Sequence, residues 1–162
     1  MSEIVSVITQ DKQVRLESSR RLGDLGERMA AEYLIGLGFR LVAANFTVPV
    51  GRNSRGVQVT GEIDLIALDD EKLCFIEVKT RRSAAFTPLL TNVGLRKQRQ
   101  ITRTTRVYRR IFGLLDMEHR YDVVTVLIPE VGAPEIEHIK AFWHEGKFRK
   151  RRWNTQTWQD FI

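Results

Sequence analysis

Residues 61–82 have the sequence GEIDLIALDDEKLCFIEVKTRR, and this stretch decides the fold. Two short apolar runs flank an acidic turn, which is typical of a β-hairpin. If Asp70 and Glu71 are the turn residues, Asp64 lies directly across from Glu77, and Lys79 shares a face with Glu77 because side chains alternate along a strand. Opposed carboxylates destabilise a strand pair. The hairpin therefore predicts a charge cluster inside an apolar sheet, where a divalent cation would remove the repulsion.

The bulk composition indicates one soluble globular domain. The chain has 162 residues, of which 43% are hydrophobic and 28% are charged. Its single cysteine, Cys74, has no partner for an internal disulfide and is expected to be buried and reduced. The chain starts with no secretory signal pattern, and no apolar run approaches the ~18 residues that span a membrane. These features predict a cytoplasmic protein with no membrane partner.

The distribution of charge points to an anionic partner. The net charge is +6 and the isoelectric point about 9.8. Between Val78 and Leu115 there is no acidic residue, and the basic ones are Lys79, Arg81, Arg82, Arg96, Lys97, Arg99, Arg103, Arg106, Arg109 and Arg110. A second basic cluster at 147–152 is interleaved with Phe148 and Trp153, which suits phosphate contacts and base stacking. The alternative is a solvated helix face followed by a disordered tail.

The order of elements predicts an α/β layer fold around one mixed sheet. Residues 1–17 form an N-terminal extension without a persistent period, which is expected to be mobile. Residues 18–143 form the main domain, and residues 144–162 a basic, aromatic C-terminal tail. Within the domain we expect a helix at 18–37, a strand at 39–45, a hairpin-like excursion at 46–60 with a basic tip, and then the central hairpin. A loop at 83–92, a helix at 93–115 and strands at 122–128 and 135–143 follow.

Both helices are predicted to direct a charged side chain toward the sheet. Ser18 or Ser19 is the expected cap of the first helix, and its apolar positions are Leu22, Leu25, Met29, Tyr33, Leu34 and Leu37. Glu27 lies within about 20° of Leu34 on the helical wheel and so faces the apolar side. The buried stripe of the second helix is expected at Ile101, Thr104, Tyr108, Ile111 and Leu115. Extending that stripe back by one turn reaches Lys97.

Several motifs together resemble the YraN family of the PD-(D/E)XK nuclease superfamily, which is similar to archaeal Holliday-junction resolvases. The matching positions are Gly26-Glu27, Gly36-x-Gly38-Phe39, Asn45, residues 61–66, residues 75–81, Lys97 and residues 120–124. The resemblance covers about residues 20–128. It implies a restriction-endonuclease-like three-layer core, with a mixed β-sheet flanked by helices in the order α-β-β-β-α-β. The stretch at 46–60 and the basic tail depart from the family pattern.

The resemblance also implies a metal-dependent DNA endonuclease, and selectivity for branched DNA is a further expectation. Its metal ligands would be Asp64, Glu77, the backbone carbonyl of Val78 and Glu27, and Lys79 would be the catalytic lysine. The expected cofactor is Mg²⁺ or Mn²⁺, since such ions prefer oxygen ligands. The residues expected to contact DNA are Lys97, Arg81, Arg82, Arg99, Arg103 and Arg106. Resolvases act as dimers, so a homodimer is a further expectation.

The same residues are also compatible with structural or non-catalytic roles. Asp64, Glu77 and Lys79 could form a buried ion network that supports the sheet, although such networks are costly to desolvate. Asp122 is as compatible with a structural pair with arginine as with catalysis. The chain could also be a nucleic-acid-binding module that does not cleave, or an adaptor that binds a partner through its tail.

Overall fold

A computed structural model of the chain describes residues 2–83 and 93–148, with side chains from Arg15 onward. It contains two α-helices, five strands and a short 3₁₀ helix in one α/β arrangement. The bounds are α1 (Ser2–Gly36), β1 (Arg40–Arg52), β2 (Gln58–Asp69), β3 (Lys72–Arg81), α2 (Leu95–Ile111), β4 (His119–Leu127), β5 (Glu135–Trp143) and the 3₁₀ turn Glu145–Phe148. The predicted loop at 83–92 and the predicted C-terminal tail fall almost entirely outside the described residues.

The sheet is mixed, as the order of elements predicted. Its strands lie in the order β1-β2-β3-β4-β5. The pairs β1–β2, β2–β3 and β4–β5 are antiparallel, and β3–β4 is parallel. The parallel pair requires a crossover, which α2 supplies. The ends of β3 and α2 are thereby brought to one edge of the molecule, where the charged side chains of the central hairpin also lie.

The central hairpin has the predicted register. Asp69 pairs with Lys72 and Leu65 with Ile76, and Asp70 occupies the turn with a φ of +52°. The first hairpin also forms as expected, with its turn closed by Asn53, whose side-chain oxygen accepts hydrogen bonds from the backbone N–H groups of residues 55 and 57 at 2.9 and 3.0 Å. Such side-chain bonds to the local backbone are the reason asparagine favours turns.

The two helices cover opposite faces of the sheet. One hydrophobic cluster joins Ala30 and Leu34 of α1 to Cys74, Ile76 and Val124. The other joins α2 to the second face through Ile101, Tyr108, Phe75, Tyr121 and Trp143, among others. The sheet therefore separates a layer that carries Glu27 from a layer that carries Lys97.

The first helix is longer than the sequence pattern predicted. It begins at Ser2 rather than at Ser18, so Ser18 and Ser19 lie inside it and cap nothing. The prediction missed this because residues 2–17 have no regular apolar period, which is the pattern that identifies an amphipathic helix in a sequence. The predicted C-terminal end is correct: the chain leaves the helix through Gly38, which has a φ of +93°, and Phe39 N–H donates to the Leu34 carbonyl at 3.0 Å.

Four predicted core positions are wrong. Leu25 of α1 and Leu37, which follows its last residue, are 36% and 55% exposed, because the contact with the sheet is made by the small residues Gly26 and Ala30 instead. Ile111 and Leu115 are 58% and 57% exposed. The helix ends at Ile111 and the chain turns at Gly113, which has a φ of +67°, so the expected stripe has no fifth helical turn to continue on.

Among the described residues no helix has the length and apolarity that a membrane crossing requires.

Candidate active site

The candidate site lies where β2 and β3 separate. Their ladder ends at the pair Leu65–Ile76, one step before Asp64 and Glu77 would face each other. The Asp64 carboxylate instead accepts a hydrogen bond from the Val78 backbone N–H at 2.7 Å. A side-chain oxygen thus replaces the backbone carbonyl that would accept this hydrogen bond in a regular β-sheet. Both carboxylates are enclosed, with Asp64 8% exposed and Glu77 1% exposed.

The strand on the other side of Asp64 has one residue with an unusual backbone conformation. The β1–β2 partners pass from Ala44–Leu65 to Phe46–Ile63, and Asn45, which lies between them, has a φ of +52°. Asparagine tolerates this left-handed conformation better than most residues. Its side chain hydrogen-bonds Glu27. Asn45 therefore connects β1 to α1 beside the site, a role that the sequence did not assign to it.

Two lysines hold the Glu77 carboxylate. Lys79 Nζ lies 2.5 Å from Glu77 Oε1, and Lys97 Nζ lies 3.2 Å from Oε2. The second contact is an ion pair without hydrogen-bond geometry, so the buried Oε2 atom accepts no hydrogen bond from the described residues. Burial alone would lower the pKa of Lys97, but the charges of Glu77 and Asp64 outweigh it and raise that pKa. Lys97 is therefore firmly cationic, and the predicted inward direction of this side chain is confirmed.

The surroundings of Asp64 disfavour its negative charge. Burial, and next the charge of Glu77, raise the pKa of Asp64 to about 7, against the lowering effects of the Val78 hydrogen bond and Lys97. An ordinary aspartate has a pKa near 3.8. The folded chain therefore resists carrying both negative charges together, which is the electrostatic setting that favours binding of a cation.

Glu27 lies beside the pair but does not complete a three-carboxylate set. Burial raises the pKa of Glu27, the Asn45 hydrogen bond lowers it, and Asp24, Glu62 and Glu77 raise it further. It lines an acidic surface groove of about 740 Å³ between α1 and the first two strands. The described residues contain no group of three or more His, Cys, Asp or Glu side chains placed to bind one ion. Glu27 is nevertheless close enough for its charge to affect the pKa of Asp64, and its role as a ligand stays a prediction.

Two glycines set the helices close to the sheet next to the site. A Cβ atom on Gly26 would lie 1.8 Å from the Thr80 side chain, and one on Gly61 would lie 2.0 Å from the Thr104 side chain. Only glycine permits such approaches. The Gly26–Thr80 contact is adjacent to site residues, since Glu27 follows Gly26 and Lys79 precedes Thr80. The repeated glycines of the motifs were a signal for this close packing, but sequence reasoning gave them no role.

The predicted basic residues have different surroundings. Arg99 and Arg103 are exposed on α2, and the Arg99 guanidinium lies 5.6 Å from the centre of the Phe148 ring. Arg106 is paired with Glu145, so it does not present an uncompensated charge. Arg81 is half-buried at the end of β3, and Arg82 lines a surface groove against α1. Arg99 and Arg103 thus share the exposed face of α2, whereas Arg106 is held by an ion pair, and the predicted contacts with DNA stay a prediction.

Asp122 belongs to a separate, structural network. It is fully buried, and Arg120 Nε donates to both of its oxygens at 2.9 and 3.0 Å. His138 Nε2 lies 2.9 Å from the same carboxylate, and the Ala141 N–H donates to it at 2.9 Å. Its side chain lies on the α1 face of the sheet, whereas Glu77 faces α2. Of the two roles left open for Asp122, the contacts favour the structural one.

Comparison with known proteins identifies relatives but no activity. Residues 26–126 match the profile described as "Uncharacterised protein family UPF0102". A UPF0102 protein of Geobacter sulfurreducens is 40% identical over 118 residues, covering 73% of this chain and 84% of its own length. One of Geotalea daltonii is 38% identical over 122 residues (75% and 88%), and one of Chlorobium limicola is 38% identical over 130 residues (76% and 93%). A solved structure described as "Crystal structure of SSO0001" matches with a TM-score of 0.38 and 19% identity, and the match covers 80% of this chain and 55% of that one.

Proposed function

Because the chain belongs to the uncharacterised protein family UPF0102, whose description names no activity, we propose a function from the site itself: metal-dependent hydrolysis of phosphodiester bonds in nucleic acid, as a DNA endonuclease. The observation that carries the proposal is the buried Asp64–Glu77 pair with Lys79 and Lys97 against it. The resemblance of the central motifs to PD-(D/E)XK nucleases supports the same chemistry.

The residues present fit a hard divalent cation. Asp64 and Glu77 offer carboxylate oxygens, Glu77 Oε2 lacks a hydrogen bond within the described residues, and burial, followed by the charge of Glu77, raises the pKa of Asp64. Mg²⁺ and Mn²⁺ take oxygen ligands, and Mg²⁺ is usually bound through one or two protein carboxylates. Asp64, Glu77 and the Val78 carbonyl would hold the ion, which supplies Lewis-acid stabilisation of charge on the phosphate. Glu27 would act from the outer side of the site.

The lysines supply fixed positive charge for the reaction. Lys79 is 27% exposed and Lys97 30% exposed, so each reaches solvent while its ammonium group contacts Glu77. A phosphodiester that approaches the pair meets both ammonium groups at the mouth of the site. Positive groups arranged beforehand stabilise the negative charge that develops on the phosphate oxygens, and the loss of one such group costs about a hundredfold in rate or more.

A second candidate function is nucleic-acid binding without cleavage. The observation that favours it is that ammonium groups already face both oxygens of Glu77, which balances its charge without an ion. This module would bind DNA or RNA in a salt-dependent manner. Its binding would persist in Glu77→Gln and Lys79→Met variants.

The deciding experiment incubates the purified chain with branched, flapped and linear DNA, and with RNA, in Mg²⁺, in Mn²⁺ and in chelator. The proposal expects metal-dependent cleavage that is lost in Asp64→Ala and reduced at least about a hundredfold in Lys79→Met. Glu71→Gln, which changes an exposed carboxylate in the β2–β3 turn, is the matched control and retains activity. Cleavage that survives Asp64→Ala, or no cleavage of any substrate by the unmodified chain, would refute the proposal.

A further inference from the structure

A second charged feature lies outside the Asp64–Glu77 site. The outer face of α2 and the far part of the first hairpin enclose a groove of about 290 Å³. We call it the arginine groove. It is lined by Arg96, Arg99, Gln100 and Arg103 of α2 and by Val50 and Val59 of the hairpin.

The three arginines form a row of uncompensated charge. Residues three or four apart share one face of a helix, so positions 96, 99 and 103 lie on successive turns. Among the described residues no carboxylate lies within ion-pair distance of any of the three. The first turn of α2 contains no acidic residue, so the positive end of the helix dipole adds to the charge. Like charges at this spacing destabilise a helix, and an anion in the groove would relieve that cost.

The hairpin is shaped to admit one of these guanidinium groups. Gly51 of β1 has a φ of +130°, and a Cβ atom there would lie 2.5 Å from Arg103 Nη2. The absence of a side chain at this position leaves room for the Arg103 head group. Two further exposed arginines, Arg52 and Arg55, stand at the hairpin tip. The hairpin at 46–60 therefore forms one wall of the arginine groove, and α2 forms the other.

The arginine groove begins one residue along the chain from a side chain of the candidate active site. Lys97, which contacts Glu77, is adjacent in sequence to Arg96, the first arginine of the groove. From position 96 to position 103 the helix advances about 10 Å at 1.5 Å per residue. At about 3.4 Å per nucleotide along one strand, this length corresponds to about three nucleotides. Guanidinium groups at regular intervals suit phosphates at regular intervals, since each can form a bidentate pair.

We propose that the arginine groove binds the sugar–phosphate backbone of a nucleic-acid strand on one side of the bond that the Asp64–Glu77 site would cleave. The proposal rests on the proposed function only for this link to cleavage. The substrate class is then a polynucleotide that extends at least about three nucleotides past the reacting phosphate. A mononucleotide or a dinucleotide would leave the groove empty.

Binding in chelator tests the groove apart from cleavage. Fluorescence anisotropy measures the affinity for labelled duplex and single-stranded DNA over a range of salt concentrations. Arg96→Gln and Arg103→Gln are each expected to weaken binding and to reduce the slope of log affinity against log salt by about one, and the double variant by about two. Arg40→Gln is the matched control, because Arg40 is exposed at the opposite end of β1, next to the β2–β3 turn. It leaves the slope unchanged.

The outcomes separate this inference from the proposed function. If Arg96→Gln and Arg103→Gln unfold at the same temperature as the unmodified chain and leave the slope unchanged, the arginine groove does not bind nucleic acid and the proposal is refuted. An equal reduction of the slope in Arg40→Gln would also refute the proposal, since the slope would then depend only on the net charge of the chain. Preference for an acidic protein over DNA, with the same arginines required, would likewise contradict a nucleic-acid partner. Failure of cleavage on every substrate would refute the nuclease alone and leave the binding result standing.

Discussion

Replacing Asp64 by asparagine is expected to stabilise the protein above neutral pH while it removes a proposed metal ligand. The substitution deletes the negative charge that the folded chain resists and keeps an oxygen that can accept the Val78 hydrogen bond. Burial and Glu77 raise the pKa of Asp64 from 3.8 to about 7. A rise of this size corresponds to about 4 kcal/mol at 1.4 kcal/mol per tenfold change in the ionisation constant. This is an upper value, because relaxation and water entry reduce the cost.

The sign of the pH dependence follows from linkage. A carboxyl with a raised pKa in the folded state contributes stability that is complete below its unfolded pKa and is lost as the pH rises through its folded pKa. The Asp64 contribution is therefore present below about pH 4 and lost by about pH 7 to 8. The difference in the free energy of unfolding between Asp64→Asn and the unmodified chain should grow by as much as about 4 kcal/mol over that range.

Urea unfolding in chelator, at several pH values from 4 to 8, measures this difference. Asp116→Asn, which changes an exposed aspartate in the loop after α2, controls for the general effect of one less negative charge. Added Mg²⁺ should stabilise the unmodified chain at pH 8 and should stabilise Asp64→Asn less, because a ligand that binds only the folded state raises its stability. A difference that stays constant with pH, or that Asp116→Asn reproduces, would refute the account of the buried pair.

Three further predictions concern the scaffold. Gly26→Ala should lower the free energy of unfolding by about 1–3 kcal/mol, because the new methyl group would collide with the threonine side chain of β3 packed against it. Gly23 lies in the same helix, but a methyl group there would meet no other atom within 4 Å. Gly23→Ala should therefore raise the free energy of unfolding by about 0.5–1 kcal/mol. Arg120→Ala should cost about 3–5 kcal/mol in urea unfolding, since it removes the guanidinium whose Nε–H is shared by both oxygens of the fully buried Asp122. Cys74 should react with a thiol reagent only when the chain unfolds, because it is fully buried and burial raises its pKa to about 11.

Each of these has an outcome that would contradict it. Equal stability of the two glycine variants would show that α1 does not approach β3 as closely as described. Arg110→Ala, which changes an exposed arginine, should stay within about 0.5 kcal/mol of the unmodified chain, and an Arg120→Ala variant equally close would argue against the buried network. Rapid labelling of Cys74 in the native protein would indicate that the sheet opens locally.

The central hairpin was predictable because its signals are local. Alternation and the acidic turn fix the register between β2 and β3, and the register places Asp64 near Glu77 and Lys79 on the face of Glu77. Sequence reasoning extended that register one pair too far. The ladder stops at Leu65–Ile76 because the Asp64 side chain accepts the Val78 N–H, and no sequence period records where a side chain replaces a backbone acceptor.

The tertiary features of the site were less predictable. Lys97 was found by extending a stripe back along α2, which works because helix faces are periodic. The position of Glu27 outside the carboxylate pair depends on the distance between α1 and the sheet, which Gly26 sets by a contact in another element. Asn45 has a conformation that asparagine permits but does not require. These properties arise from packing between elements that are distant in sequence.

The two lysines that contact Glu77 also affect whether the chain needs an ion in order to fold. In small zinc domains the ligands repel one another until the ion arrives, so the ion is needed for folding. Here the negative charge of Glu77 is balanced from within the chain by Lys79 and Lys97, and protonation of Asp64 relieves the remaining repulsion. The charge balance within the chain therefore allows the polypeptide to fold without a supply of free cation. Under the proposed function, binding of the ion would then be a separate and reversible event that follows folding.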